Sequence, residues 1–186
     1  MKQICRKGEV FLLAVFLFCY GSRITAQENG TLYRVHISKP KNCEAVDFLK
    51  LLSANVIHHI DGDTIRVRIN NPPKGLKTVE TIRLIGIDTT ETVHPKKEVE
   101  RFGREASDFT KEQLYGKTVL LAFDWDLRDR YGRLLAYVYT QDRRCHNAEL
   151  IRLGYGHAYT RFPFHFLEEF RRYEGEARKN KRGLWE

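Results

Sequence analysis

Residues 60–64 read Ile60-Asp61-Gly62-Asp63-Thr64 and stand between two short β-branched runs, 56–60 and 64–69. Asp and Gly tolerate the backbone angles of a tight reversal, so Asp-Gly-Asp between such runs predicts a turn joining two strands. A second break, Asn70-Asn71-Pro72-Pro73-Lys74-Gly75, precedes a longer strand over 78–87. Residues 119–123 and 134–139 supply two more, which makes five. Between the third and fourth, Phe102, Ala106, Phe109 and Leu114 share one face of a helix over 100–114. A second helix is expected at 147–153, stopped by Gly154, and a third at 164–181, stopped by Gly183 with Leu184-Trp185 folded back behind it. Five short strands interrupted by a helix predict an α+β chain: a five-stranded OB-type Greek-key barrel with about three packed helices.

The flanking residues predict three segments. Lys2, Arg6 and Lys7 precede an almost unbroken apolar run over 10–20, and small residues at 22–26 offer a cleavage point after Ala26. Residues 1–26 are therefore expected to be a signal peptide, with the mature chain exported: secreted, periplasmic or surface-associated. The apolar run is short for a membrane span, although a retained anchor is the alternative. Residues 27–55 form a polar lead-in of unknown role. Within it Ala45, Val46, Phe48, Leu49, Leu51 and Leu52 recur at helical spacing and predict a short helix. Residues 56–186 make the barrel domain. Cys43 and Cys145 remain after cleavage, and either a disulfide or two free thiols fits an exported chain.

Lys and Arg outnumber Asp and Glu by 32 to 24. Such an excess favours a polyanionic partner, while a basic soluble surface explains it equally well. The chemistry-bearing residues are more specific. Asp63 and Asp88 fall at strand-turn junctions, where paired carboxylates suit a hard dication such as Mg²⁺ or Ca²⁺. Taken alone, Asp61 and Asp63 also serve as plain turn residues. Zn²⁺ is disfavoured, because no Cys or His cluster has the required spacing. His58 and His59 are neighbours on a strand and are expected to face opposite ways. Arg83 sits inside an apolar strand, a costly place for a guanidinium unless an anion meets it. That anion is either a structural carboxylate or a phosphate. Arg128, Arg130 and Arg133 read as a phosphate-facing turn or as a solvated basic loop.

Several of these pieces resemble the staphylococcal nuclease (thermonuclease) family over residues 56–185. The resemblance is carried by Ile60-Asp61-Gly62-Asp63-Thr64, Arg83-Leu84-Ile85-Gly86-Ile87-Asp88-Thr89, Glu91, His94-Pro95-Lys96-Lys97 and Gly103-Arg104-Glu105-Ala106. Further along, Asp129-Arg130-Tyr131-Gly132-Arg133, Leu135-Ala136-Tyr137 and Gly183-Leu184-Trp185 continue it in the same order. It implies that Asp63, Asp88 and the Thr89 carbonyl bind Ca²⁺, and that Arg83, Glu91 and Arg133 are the catalytic residues. Tyr131 is implied to lie along the nucleotide, with Arg130 and Lys97 on the substrate side. Thr90 stands where the family usually has proline, which loosens the turn before Glu91 without removing a functional group.

The implied activity is calcium-dependent hydrolysis of DNA, RNA or both, leaving 3′-phosphate and 5′-hydroxyl ends. A monomer with no membrane span in the mature chain is expected. The alternative is a non-catalytic nucleic-acid-binding module of the same fold, against which the carboxylates argue, since they repel phosphate. A third class, an exported interaction domain, would use these charges as a structural network.

Overall fold

The computed structural model describes residues 32–89 and 102–186; Glu91, Lys97, Thr90 and the expected signal peptide lie outside them. Five strands close the barrel: β1 (Leu52–Asp61), β2 (Thr64–Arg68), β3 (Val79–Leu84), β5 (Thr118–Ala122) and β6 (Leu134–Tyr139), in the order β1-β2-β3-β6-β5. β3 and β6 run parallel, and the other pairs are antiparallel, with β5 returning to β1. The helices are α2 (Gly103–Leu114), α3 (His146–Arg152) and α4 (Leu167–Lys179), preceded by one helical turn, α1 (Val35–Ser38). The barrel and the three main helices agree with the expectation from spacing. Among the described residues no helix is long and apolar enough to cross a membrane.

The turn at Asp61-Gly62-Asp63 forms as read. Asp61 pairs with Thr64 across β1 and β2, and the Asp63 N–H donates to the Asp61 carboxylate at 3.2 Å. Gly62 is required there for space, because a Cβ would stand 2.8 Å from the Thr89 hydroxyl and 3.0 Å from the Ala106 methyl. The expected strand 78–87 is instead broken at Gly86. That residue has φ +74°, and an added Cβ would meet the Phe164 ring at 2.7 Å. Beyond the break, β4 (Ile87–Asp88) leaves the barrel and pairs with β7 (His157–Ala158), a ladder that the spacing did not predict. The bend turns Asp88 back toward Asp63.

Asn147 holds the bend from beneath. It is fully buried, accepts the Val138 N–H at 2.9 Å, and donates to the carbonyls of Ile85 (2.9 Å) and Ala136 (3.2 Å). The Ala136 carbonyl also accepts the Ile85 N–H at 3.0 Å. Asn147 therefore matters most for the Ile85 carbonyl and the Val138 N–H, which are costly to bury unpaired.

The lead-in differs from its reading. Tyr33, Val35, Cys43, Val46 and Leu51 are buried in the core, and β1 begins at Leu52, inside the segment read as lead-in. The expected helix over its apolar residues is a three-residue 3₁₀ turn, Phe48–Lys50. The Asp47 carboxylate takes the Leu49 N–H and closes the turn, while Leu52 is drawn into the barrel. Cys43 and Cys145 are both buried free thiols. A hydrogen bond with Cys145 and burial push the Cys43 thiol up, and Glu169 accepts the Cys43 N–H at 2.9 Å.

α2 and α3 meet through His146, which is buried and stacks on Phe109 at 5.4 Å between centroids. Thr110 gives its hydroxyl proton to the Gly62 carbonyl (2.7 Å), so the His146 Nε2–H donates to Thr110 (3.0 Å). Burial, with the Arg144 charge adding to it, brings His146 down from 6.5 to about 3. The unfolded chain therefore takes up the proton first. Stability is fully present above 6.5 and falls as the pH drops toward 3. Urea unfolding should show the chain losing about 2 kcal/mol between pH 6.5 and pH 5 through this residue. His146→Gln should lose correspondingly less over the same interval.

Candidate active site

Asp63 is buried at the β1–β2 turn, and its carboxylate is crowded with donors. Oδ2 accepts the Thr89 N–H at 3.0 Å, the Thr89 hydroxyl at 3.2 Å and Arg83 Nη1 at 2.6 Å. Oδ1 accepts the Thr64 hydroxyl at 3.0 Å. Arg83, on β3 opposite Thr64, has a side chain only 14% exposed. Its other terminal nitrogen, Nη2, reaches Asp88 Oδ1 at 2.8 Å, and Nη1 also donates to the Ile87 carbonyl at 2.9 Å. One guanidinium thus spans the two carboxylates that the sequence singled out.

The acids outnumber the cation here. Burial and the neighbouring Asp63 charge raise Asp61 to about 6. Burial likewise raises Asp88; the Arg83 charge opposes it and Asp63 reinforces it. Carboxylates in this condition favour a further positive partner. The donor set is hard oxygen throughout: Asp63, Asp88 and the backbone at Thr89. That suits Ca²⁺ or Mg²⁺ and is unsuited to softer metals. Among the described residues no group of three or more His, Cys, Asp or Glu converges on one point. A dication there would therefore complete its shell with carbonyl oxygen and water, as hard cations do.

The basic turn divides in two. Arg128 is structural, since it forks onto the buried Glu80 (3.0 and 2.7 Å) and also donates to the carbonyls of Gly132 and Gly75. Burial alone would raise Glu80, but the Arg128 hydrogen bonds, the Lys77 N–H and the charges of both residues together hold the carboxyl below its usual value. Arg133 is anchored by Nε–H to Asp129 at 2.6 Å, a bond that does not use its two terminal nitrogens. The guanidinium carbons of Arg130 and Arg133 lie 4.7 and 5.5 Å from the centre of the exposed Tyr131 ring. Only the latter two arginines fit the phosphate-facing reading.

Arg83, Asp88, Arg130, Tyr131 and Arg133 line one cleft of about 520 Å³. The structure brings these predicted residues together, with Asp63 and Thr89 directly behind Arg83. Glu91 and Lys97 lie outside the described residues. The cleft has further walls that spacing did not reveal: Trp125, Tyr159, Arg161 and Phe162. A hint was available, since aromatic residues interleaved with arginine are a nucleic-acid signature.

The family described as Staphylococcal nuclease homologue matches residues 81–186. A thermonuclease of Staphylococcus hyicus is 39% identical over 131 residues, covering 70% of this chain and 73% of that protein. The SPbeta prophage-derived endonuclease YokF of Bacillus subtilis is 36% identical over 139 residues, 73% of this chain but 45% of its own length. An uncharacterized protein of Methanocaldococcus jannaschii is 32% identical over 207 aligned residues, 98% of this chain and 96% of that protein.

The two arginines should separate in urea unfolding. Arg128→Ala strands a buried carboxylate and should cost about 3 kcal/mol. Arg133→Ala breaks a half-exposed pair and should cost about 1 kcal/mol or less. Equal losses would contradict the division of labour.

Proposed function

Belonging to the staphylococcal nuclease family, this chain is a nuclease, and we propose that it hydrolyses phosphodiester bonds of DNA or RNA with the assistance of Ca²⁺. The observation that carries this reading is the Arg83 guanidinium bridging Asp63 and Asp88 in the wall of a cleft shared with Arg133 and Tyr131. Asp63, Asp88 and the Thr89 carbonyl are the proposed holders of the ion. When bound it offsets negative charge on a non-bridging phosphate oxygen.

The chain's own groups do the rest. Phosphodiesters resist attack because their oxygens are already negative, and the barrier rises as the five-coordinate transition state gathers more charge. Arg133 meets that charge with the terminal nitrogens that its bond to Asp129 does not use. Arg83, whose terminal nitrogens rest on Asp63 and Asp88, must release a carboxylate to do the same. Neither is a proton donor, since a guanidinium holds its protons until the pH exceeds about 12. Glu91 is assigned to the attacking water, which it orients or deprotonates. Tyr131 gives the nucleotide an apolar face beside the phosphate grip, and Arg130 and Lys97 are assigned to the substrate. Attack on the 5′ side leaves 3′-phosphate and 5′-hydroxyl products.

The alternative from sequence is a non-catalytic binder. Against it stands the cost of holding Asp63 buried beside Asp61 and Asp88 in a site meant for polyanions. The basic and apolar sequence of residues 1–26 supports export, and a monomer is the proposed state.

Cleavage of a labelled oligonucleotide should stop in excess chelator and return with Ca²⁺. Full cleavage with metal verified absent would end the metal assignment. Arg83→Lys should keep the fold and lower turnover about 10²–10³-fold, because an ammonium cannot reproduce the fork. A lysine variant within a few-fold of the parent would make Arg83 a structural residue.

A further inference from the structure

The cleft extends beyond the residues assigned above. Trp125 lines it immediately after β5 and is 48% exposed. An indole left half in water adds little to the core, yet the backbone that carries this one is firmly held. The Asp124 carboxylate accepts the Trp125 main-chain N–H (3.0 Å), the Tyr137 hydroxyl (2.6 Å) and the His165 N–H (2.7 Å).

The lead-in completes the mount. Val35 N–H donates to the Phe123 carbonyl at 2.9 Å, and Phe123 N–H donates to Tyr33 at 3.0 Å. Arg34 Nη1 reaches the carbonyls of Asp124 (2.5 Å) and Trp125 (3.2 Å). The His36 ring then backs the indole, 5.7 Å away between centroids and tilted by 33°. Phe162, 61% exposed, lines the same cleft and carries Arg161 5.8 Å from its ring centre.

Resting on the nuclease reading, we propose that Trp125, mounted by residues 33–36, stacks an unpaired nucleobase adjacent to the nucleotide being cleaved. The lead-in thereby becomes part of a single-stranded nucleic-acid site. Every base offers a π-face, so an aromatic platform binds with little regard to sequence. Charge decides which part of the strand meets it. Beside the indole the Arg34 guanidinium is tied to the Asp124 and Trp125 carbonyls, and Asp126 adds a negative charge to the lining. Arg130 and Arg133, around Tyr131, keep donors for phosphate. The backbone follows the arginines and the base turns to Trp125. Bases in a duplex are already stacked on one another, so the platform favours strands that are open or frayed.

The chain contains two tryptophans, and Trp185→Phe leaves Trp125 as the sole indole. Titrating that variant with an eight-residue oligothymidylate in excess chelator should quench its fluorescence saturably, and an equal-length duplex should quench it far less. In the otherwise unaltered chain, Trp125→Ala should raise KM for the same oligonucleotide about tenfold with kcat retained, and Trp125→Phe should recover most of the loss. Absent quenching, together with a KM unchanged by Trp125→Ala in an active enzyme, would overturn the proposal. A loss in kcat that Trp125→Phe does not recover would also overturn it, since that marks a structural role. Saturable quenching by a chain that cleaves nothing under any condition would sustain the stacking site while refuting the nuclease mechanism.

Discussion

A guanidinium shared between two carboxylates is the interaction around which this molecule is arranged. Arg83 is nearly buried on β3, where its charge is expensive unless matched, and Asp63 and Asp88 match it at 2.6 and 2.8 Å. The two acids come from different turns, so the match requires the β1–β2 reversal and the break after β3 to arrive at one place. Gly62 lets the first turn lie against Thr89, and Gly86 lets the second swing past Phe164. Asn147 pays for the backbone groups that this second departure unpairs. The catalytic proposal and the fold therefore lean on the same few residues.

The surplus of acid over base gives that cluster a direction. Asp61 and Asp88 are both raised by burial, and Asp63 adds repulsion to each. Such a site favours positive charge, while the cleft beside it, with Arg130 and Arg133 around Tyr131, favours negative charge. A hard cation and a phosphodiester bound side by side satisfy both halves, and few other ligand pairs do.

The barrel was legible because its signals are local. Asp61-Gly62-Asp63 announces its turn, alternation announces the strands, and Ala106 and Leu114 announce the inner face of α2. The pairing of Asp63, Arg83 and Asp88 was also within reach, since an arginine in an apolar strand asks for an anion. What escaped depends on long-range contact. Tyr33 and Val35 join the core through Phe123, some ninety positions away, and no periodicity records that. Arg128 looks identical in sequence to Arg130, yet Glu80 captures it across the barrel. The β4–β7 ladder needs Gly86 to turn, and in sequence that glycine reads as the interior of one strand over 78–87.

Arg83 and a bound dication would call on the same two carboxylates, and that competition is the most exposed consequence of the structure. Calorimetric titration of Ca²⁺ into the chelator-stripped chain and into Arg83→Gln measures it directly. One ion per parent chain, bound several-fold more tightly once the arginine's charge is gone, is the predicted result. Equal or weaker binding by Arg83→Gln, or no binding by either chain, would contradict the assignment of Asp63 and Asp88 to the metal.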